Sequence, residues 1–245
     1  MRALTVLLAG LLWSGAALAA PVVVLDPGHG GQQSGTKNAD GVYEKQVVLH
    51  IARQAQRHLK AKGVQVVLTR GSDRKLSLDS RVALANAKGA QVFVSIHNNW
   101  APVPERRGVE TYILSAHASD EVAASLLHAE EADEEAPNPR AAAGSDLDFI
   151  LGDLDRAAAH QGSARLAKCI QDRLGKTPGL GPSRGLRQAP FRVLKGAEMA
   201  AVLVEVGYLS HEVQGKYLAS AGGQRAAGRA IARGVLAYLK STKGK

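Results

Sequence analysis

The chain of 245 residues carries a formal charge of +9 at neutral pH, is 45% hydrophobic, and holds one cysteine, Cys169. Its length suits one well-cored domain, and a lone cysteine excludes an intramolecular disulfide, so stability must come from the core. The pI of about 9.8 predicts attraction to polyanions, but no helix-turn-helix, zinc-finger or RNP signature accompanies it, which argues against specific nucleic-acid recognition.

Met1-Arg2, an apolar run from Ala3 to Trp13 and then Gly15-Ala16-Ala17-Leu18-Ala19-Ala20-Pro21 have the form of a signal peptide. Ala17 and Ala19 satisfy the A-x-A rule, so cleavage is expected after Ala19; the run is too short to span a bilayer and lacks a stop-transfer flank. The expectation is an exported protein of the periplasm or extracellular envelope. Residues 1–19 are removed, residues 20–245 form the domain, and no transmembrane segment remains. Anionic envelope polymers are then the polyanions it meets first.

Val22 to Leu25, stopped by Asp26-Pro27-Gly28, reads as a buried strand, and a glycine-rich loop follows. From Glu44, the positions Val47, Val48, Ile51, Ala55 and Leu59 keep helical spacing until Gly63, and Val64 to Thr69 reads as a second strand. Ser77 to Lys88 reads as a helix, Val92 to Ile96 as a third strand, and Val109 to Leu114 as a fourth. Leu147, Ile150, Leu151, Leu154 and Ala158 begin an amphipathic helix, capped by Ser145 or Asp146. Cys169 falls on the apolar side of a helical pattern with Leu166, Ile170 and Leu174, the setting of an inert thiol. Ala201 to Glu205 is a further buried strand, and Gln224 to Lys240 a C-terminal helix. Alternating strands and helices predict an α/β fold: a mainly parallel twisted sheet of about six strands with helices on both faces. Function is then expected at the rim formed by the strand C-terminal ends.

Two histidines reach that rim. His29 follows the first strand in Asp26-Pro27-Gly28-His29-Gly30-Gly31, and His97 ends the third in Ser95-Ile96-His97-Asn98-Asn99. With Glu44 at a helix start they make a two-His, one-Glu set, which suits catalytic Zn2+ because three ligands leave a fourth position open. His50, His58, His117, His128, His160 and His211 lie mostly in helical patterns and read as surface or packing residues. Glu205 is the sharper anomaly: Val202-Leu203-Val204-Glu205-Val206 places a carboxylate at the end of an apolar strand. Either it passes protons at the metal site or it forms a structural salt bridge, for which Arg184, Arg187 and Arg192 are available.

These motifs resemble, in order, those of the zinc-dependent N-acetylmuramoyl-L-alanine amidases of bacterial envelopes. The resemblance runs from about Val22 to the C-terminus. Besides the histidine motifs it rests on Leu68-Thr69-Arg70, Arg81, Asn86 and Leu203-Val204-Glu205-Val206-Gly207-Tyr208-Leu209-Ser210. It implies a fold related to zinc carboxypeptidases, Zn2+ held by His29, Glu44 and His97, and Glu205 as the catalytic glutamate. It also implies the substrate, the peptidoglycan amide between the lactyl group of N-acetylmuramic acid and L-alanine. His211, where the family often has Asn, and Trp100 after Asn99 depart from the pattern at the rim. A zinc peptidase of related fold and a non-catalytic wall-binding protein stand as alternatives.

Between Gly108 and Pro139 there is no Lys or Arg, while Asp120, Glu121, Glu130, Glu131, Asp133, Glu134 and Glu135 gather negative charge. Some resembling amidases carry, at this place, an inserted helix that covers the zinc until an activator protein moves it. The expectation is a regulatory insertion at about 119–144, with one of Glu130, Glu131, Glu134 or Glu135 in the open metal position. A solvated charged loop is the alternative.

Overall fold

A computed structural model describes residues 20–132 and 146–242. The expected signal peptide lies outside the described residues, as do Glu134 and Glu135. No described helix is long and apolar enough to cross a membrane.

Strand β1 (Val22–Pro27) leads to helix α1 (Glu44–Lys60), strand β2 (Gln65–Leu68), helix α2 (Leu78–Ala87), strand β3 (Val92–Asn99) and strand β4 (Val109–Leu114). Helices α3 (Glu121–Glu131) and α4 (Asp146–Leu174), strand β5 (Ser183–Ala189), a 3-10 turn (Arg192–Leu194), strand β6 (Ala200–Tyr208) and helices α5 (Glu212–Ala219) and α6 (Ala221–Thr242) complete the chain. The six strands form one sheet in the order β2-β1-β3-β6-β4-β5. Every pair is parallel except β4 with β6.

That exception follows from a short connection. Parallel neighbours need a crossover of a dozen residues or more, and the β3–β4 loop, Trp100–Gly108, is too short for one. The chain therefore turns back at the rim, and β4 runs opposite to β3. The slot between them is filled by β6, which returns through a long connection and pairs with β3 on one side and β4 on the other.

The two faces of the sheet have separate cores. On one, Val23, Leu25, Val94, Ile96, Val202 and Val204 meet the apolar stripes of α1, α4 and α6, including Ile51, Leu166, Ile170 and Ile231. Cys169 packs at the margin of this core, partly buried, and burial raises its thiol pKa, as expected of an unreactive side chain. On the other face, Val24, Phe93, Leu203 and Tyr112 lie under Phe191, Leu194, Leu126 and Ala85. Burying these side chains stabilises each by about 1.5–3 kcal/mol before the entropy of ordering is set against it.

Several boundaries differ from the sequence reading. β3 extends to Asn99, so His97 lies inside the strand, and β6 spans Ala200–Tyr208, so Glu205 is internal too. β5 and α5 have no counterpart in the reading. β5 (Ser-Arg-Gly-Leu-Arg-Gln-Ala) is a half-exposed edge strand with no apolar run and with Gly185 at φ 91°. The acidic segment contains a true helix, α3, whose N-cap Asp120 accepts from the Ala123 N–H at 2.9 Å.

Candidate metal centre and active site

Three chain segments converge at the rim. His29 leaves β1 at φ 56°, the one non-glycine residue at positive φ among those described, a conformation that costs roughly 1–3 kcal/mol and persists only where the surroundings impose it. Two arginines impose it here. Buried Arg70 donates from Nε to the Pro27 carbonyl at 2.9 Å and from Nη2 to the Gly28 carbonyl at 2.6 Å. Buried Arg81 donates to the Pro27 and His29 carbonyls at 3.1 and 2.9 Å. Asp26 anchors the clamp, accepting from Arg81 at 2.8 Å, Thr69 at 2.5 Å and Ser95 at 2.8 Å. Burial pushes the Asp26 pKa up, but the Arg81 charge and these bonds outweigh it, so its carboxyl titrates below the ordinary range.

Glu44 opens α1 with both oxygens held by backbone: Asn98 N–H donates to Oε1 at 2.8 Å and Thr36 N–H to Oε2 at 3.0 Å. Such outer contacts fix a ligand carboxylate before any metal arrives. Gly28 and Gly35 are required by close approach. A Cβ on Gly28 would lie 2.2 Å from the His97 ring, and one on Gly35, at φ 64°, would lie 2.4 Å from Glu44 Oε2.

The structure brings all three candidate ligands together and adds a fourth group. His29 Nε2 is 3.1 Å from Glu44 Oε2, and His97 Nδ1 is 3.2 Å from Glu44 Oε1. Glu130, from α3, reaches in to place Oε2 2.7 Å from His97 Nδ1 and 3.3 Å from His29 Nε2. One ligand atom from each of the four lies within 4.8 Å of all the others. His29 Nε2, His97 Nδ1 and Glu130 Oε2 are buried and, apart from their approach to one another and to Glu44, have no hydrogen-bond partner among the described residues. Three buried polar atoms converging on one point, unsatisfied, are what a ligand set for a divalent cation presents, and the N/O donors suit zinc. Glu131, next along, instead accepts from the Arg192 N–H at 2.7 Å.

Charge accounts for the protonation of the metal-free cluster. Burial alone would lower the His29 pKa, but Glu44 and Glu130 overcome it and raise it to about 9; His97 is raised for the same reason. Reciprocally, burial opposes ionisation of Glu130, and the two imidazoles reverse this and hold its pKa down.

Glu205 stands directly opposite His97 across β3 and β6, and directly opposite Glu110 across β6 and β4. Registered residues share a face, so His97, Glu205 and Glu110 form a polar row at the rim end of the second core. Both Glu205 oxygens are buried with no partner. Burial, then the charge of Glu130, raises its pKa well above the carboxylate range, with Glu44 and Glu110 adding to the rise and His97 opposing it. Among the described residues, none of the three arginines pairs with Glu205. Arg184 Nε pairs at 2.6 Å with Glu110, Arg187 with Asp120, and Arg192 with Asp79. Glu110, Tyr112 and Tyr208 were not singled out from sequence, although a Glu within the apolar strand Val109–Leu114 is the same anomaly that marked Glu205.

Comparison with known proteins agrees with this geometry. A sequence model described as N-acetylmuramoyl-L-alanine amidase matches residues 23–237. The chain is 35% identical over 223 residues to the amidase AmiC of Neisseria meningitidis serogroup B, covering 91% of this chain and 53% of that one. It is 34% identical over 220 residues to the amidase AmiA of Escherichia coli K12, covering 89% and 76%. It thus spans about half the length of the first relative and three quarters of the second. The solved amidase AmiC2 of Nostoc punctiforme superposes with a TM-score of 0.69 at 30% identity, covering 90% of this chain and 97% of that one. The family match covers most of the chain. Running from the first strand into the last helix, it makes this chain a member of the N-acetylmuramoyl-L-alanine amidase family.

Proposed function

We propose that the protein is an exported, zinc-dependent amidase of the periplasm or extracellular envelope that cleaves the bond between N-acetylmuramic acid and L-alanine in peptidoglycan. His29, Glu44 and His97 would hold Zn2+, and Glu205 is the catalytic residue. The observation that carries the reading is the pair of unpartnered, fully buried Glu205 oxygens facing His97 across the sheet. A carboxylate kept without partners in such a place is retained for a proton.

Zinc at such a site supplies a Lewis acid and a water of lowered pKa. The chain's own residues do the rest. Glu44, locked by two backbone N–H groups, and His29, locked by the arginine clamp, keep the donor geometry rigid. Glu205 takes the proton of the attacking water and delivers it to the departing L-alanine nitrogen, because an amide anion is too poor a leaving group at neutral pH. Burial raises its pKa and a bound cation would oppose that rise, so the carboxyl can be ionised to take a proton and then give it back, and the apolar strand around it excludes bulk water from the transfer.

Residues 20–245 are the catalytic domain on this reading, with a regulatory insertion at about 119–144. Glu130 holds the fourth metal position in the resting state, supported by its 2.7 Å approach to His97, and an activator protein that draws α3 away would free it. The test is zinc content and hydrolysis of purified cell wall by residues 20–245 beside Glu205→Ala, with products assayed for new L-alanine amino termini. One zinc per chain, turnover in the parent and none in the variant are expected; zinc absent from the parent would overturn the site. Deleting residues 119–144 should speed hydrolysis, and no acceleration would end the regulatory reading.

A further inference from the structure

A groove of about 700 Å³ runs outward from His29 and Glu44. One wall is α3, and the other is the β3–β4 loop, which contributes Trp100 and Arg106. The loop is fixed: Trp100 N–H donates to Asn99 Oδ1 at 2.8 Å, Ala101 N–H to Ser210 Oγ at 3.0 Å, and Gly108 N–H to Gln214 Oε1 at 3.2 Å. Its side chains are therefore presented on a built platform. The indole of Trp100 is 57% exposed.

Arg106 is the one Lys or Arg lining this groove among the described residues, and the other charged groups there, Glu44, Glu121 and Glu130, are acidic. It is half-buried, and its guanidinium has no hydrogen bond or ion pair among the described residues. The neighbouring Arg107 faces away, lining a separate cavity with His211 and Val213. A guanidinium carried on a braced loop, without a carboxylate partner among the described residues and in an otherwise acidic groove, is a receptor for a carboxylate brought from outside.

Resting on the amidase reading, we infer that Arg106 is a specificity-determining residue that binds the α-carboxylate of the second stem-peptide residue. Hydrolysis fixes the L-alanine nitrogen at the metal, and the next residue lies one extended step, about 3.5 Å, further along the chain. In peptidoglycan that residue is linked onward through its side-chain carboxyl, so its α-carboxyl is left free in some walls and is amidated in others. The free form offers the two oxygens that a planar guanidinium takes in parallel; the amide offers one acceptor and no charge. Trp100 lines the same groove.

The test compares two soluble muropeptides that differ only in whether this α-carboxyl is free or amidated. They are cleaved by the zinc-loaded Glu130→Ala protein, which leaves the groove open, and by the same protein carrying Arg106→Ala or Arg106→Lys. The free carboxylate is expected to be preferred by about 10–100-fold in kcat/KM, the worth of a charge-assisted bond. Arg106→Ala should abolish the preference by raising KM for the free form alone, and Arg106→Lys should restore part of it. A second arm follows, by NMR, the metal-free protein titrated with the L-alanyl-D-glutamate dipeptide and with its α-amide; only the acid should give shifts that depend on Arg106. An equal effect of Arg106→Ala on both muropeptides, or dipeptide shifts indifferent to Arg106, would overturn the inference. Absence of any L-alanine-terminated product from the parent would instead count against the amidase reading, and the binding arm would still decide the role of Arg106.

Discussion

Two carboxylates face each other across β4 and β6, both fully buried, and they have opposite surroundings. Glu110 accepts from Arg184 at 2.6 Å, Tyr208 at 3.0 Å and Tyr112 at 2.5 Å; Glu205 has no hydrogen-bond partner among the described residues. Burying a charge is tolerable when its oxygens are saturated, and Glu110 is the saturated case. The same cost left uncompensated one strand away marks the residue whose proton is meant to move. Burial alone therefore does not separate structure from chemistry; the count of partners does.

The largest effect expected from breaking this contrast is on turnover. Glu205→Gln keeps the shape and removes the proton carrier, so kcat should fall by about 10²–10⁴-fold, while zinc content holds and thermal stability is unchanged or increased. A variant that lost zinc or stability together with activity would make Glu205 structural. Glu110→Ala should do the reverse. It leaves two buried tyrosine hydroxyls without their acceptor and partly exposed Arg184 without its partner, and denaturant unfolding should register a loss of about 3–5 kcal/mol, at roughly 1–3 kcal/mol for each stranded hydroxyl, with zinc still bound by the fraction that remains folded.

Arg81→Ala should cost a similar amount, since it leaves Asp26 buried beside an unclamped His29 loop. Asp26 also gives the fold an acid limit. Its pKa is lower in the folded protein than the ordinary 3.8, so its contribution is complete above roughly pH 4. Below that the unfolded chain gains the proton first, and the contribution is lost as the pH falls through the folded value. Urea midpoints between pH 6 and pH 2 should show this decline, and Asp26→Asn should flatten it while lowering the neutral plateau.

Smaller effects sharpen the picture at the rim. Glu130→Ala removes a carboxylate that competes for the metal, and hydrolysis by the otherwise intact chain should rise about tenfold, equivalent to roughly 1.4 kcal/mol. Unchanged rates would show that α3 does not obstruct the site. His211→Asn should be nearly silent, within about 0.5 kcal/mol. The His211 ring Nδ1 caps α5 by accepting from the Gln214 N–H at 3.1 Å, and Asn is an equally good cap.

Much of this was legible from residues alone, for identifiable reasons. The strands β1, β3 and β6 are apolar runs buried on both faces, and such runs read clearly; the polar residues at their ends, His29, His97 and Glu205, stand out against them. Glu44 was a weak signal alone, because a Glu at a helix start also serves the helix dipole; its conjunction with the two histidines singled it out. β5 was not legible, because an edge strand needs no apolar run, and Arg184 and Arg187 on it look like surface charge until Glu110 and Asp120 are seen beneath them. The partner of each buried charge is set by strand order, and strand order depends on β6 entering a slot between two strands that are consecutive in sequence. No local pattern carries that information. Among four acidic candidates in the insertion, only a helix phase could select Glu130, and that phase is fixed by the Asp120 cap and by Ala123 and Leu126 packing on the second core.

The placement of β6 also bears on how the molecule comes together. His29, Glu44 and His97 all precede residue 100, so the proposed metal ligands are present in the first half of the chain, but the strand that joins β3 to β4 and delivers Glu205 arrives last. Contacts of such long sequence separation form late and slowly. A chain without β6 lacks the strand between β3 and β4 and, on the proposed reading, the group that moves the proton. On that reading, closing the sheet and arming the enzyme are one event, and a chain that has not finished folding is also one that does not cut.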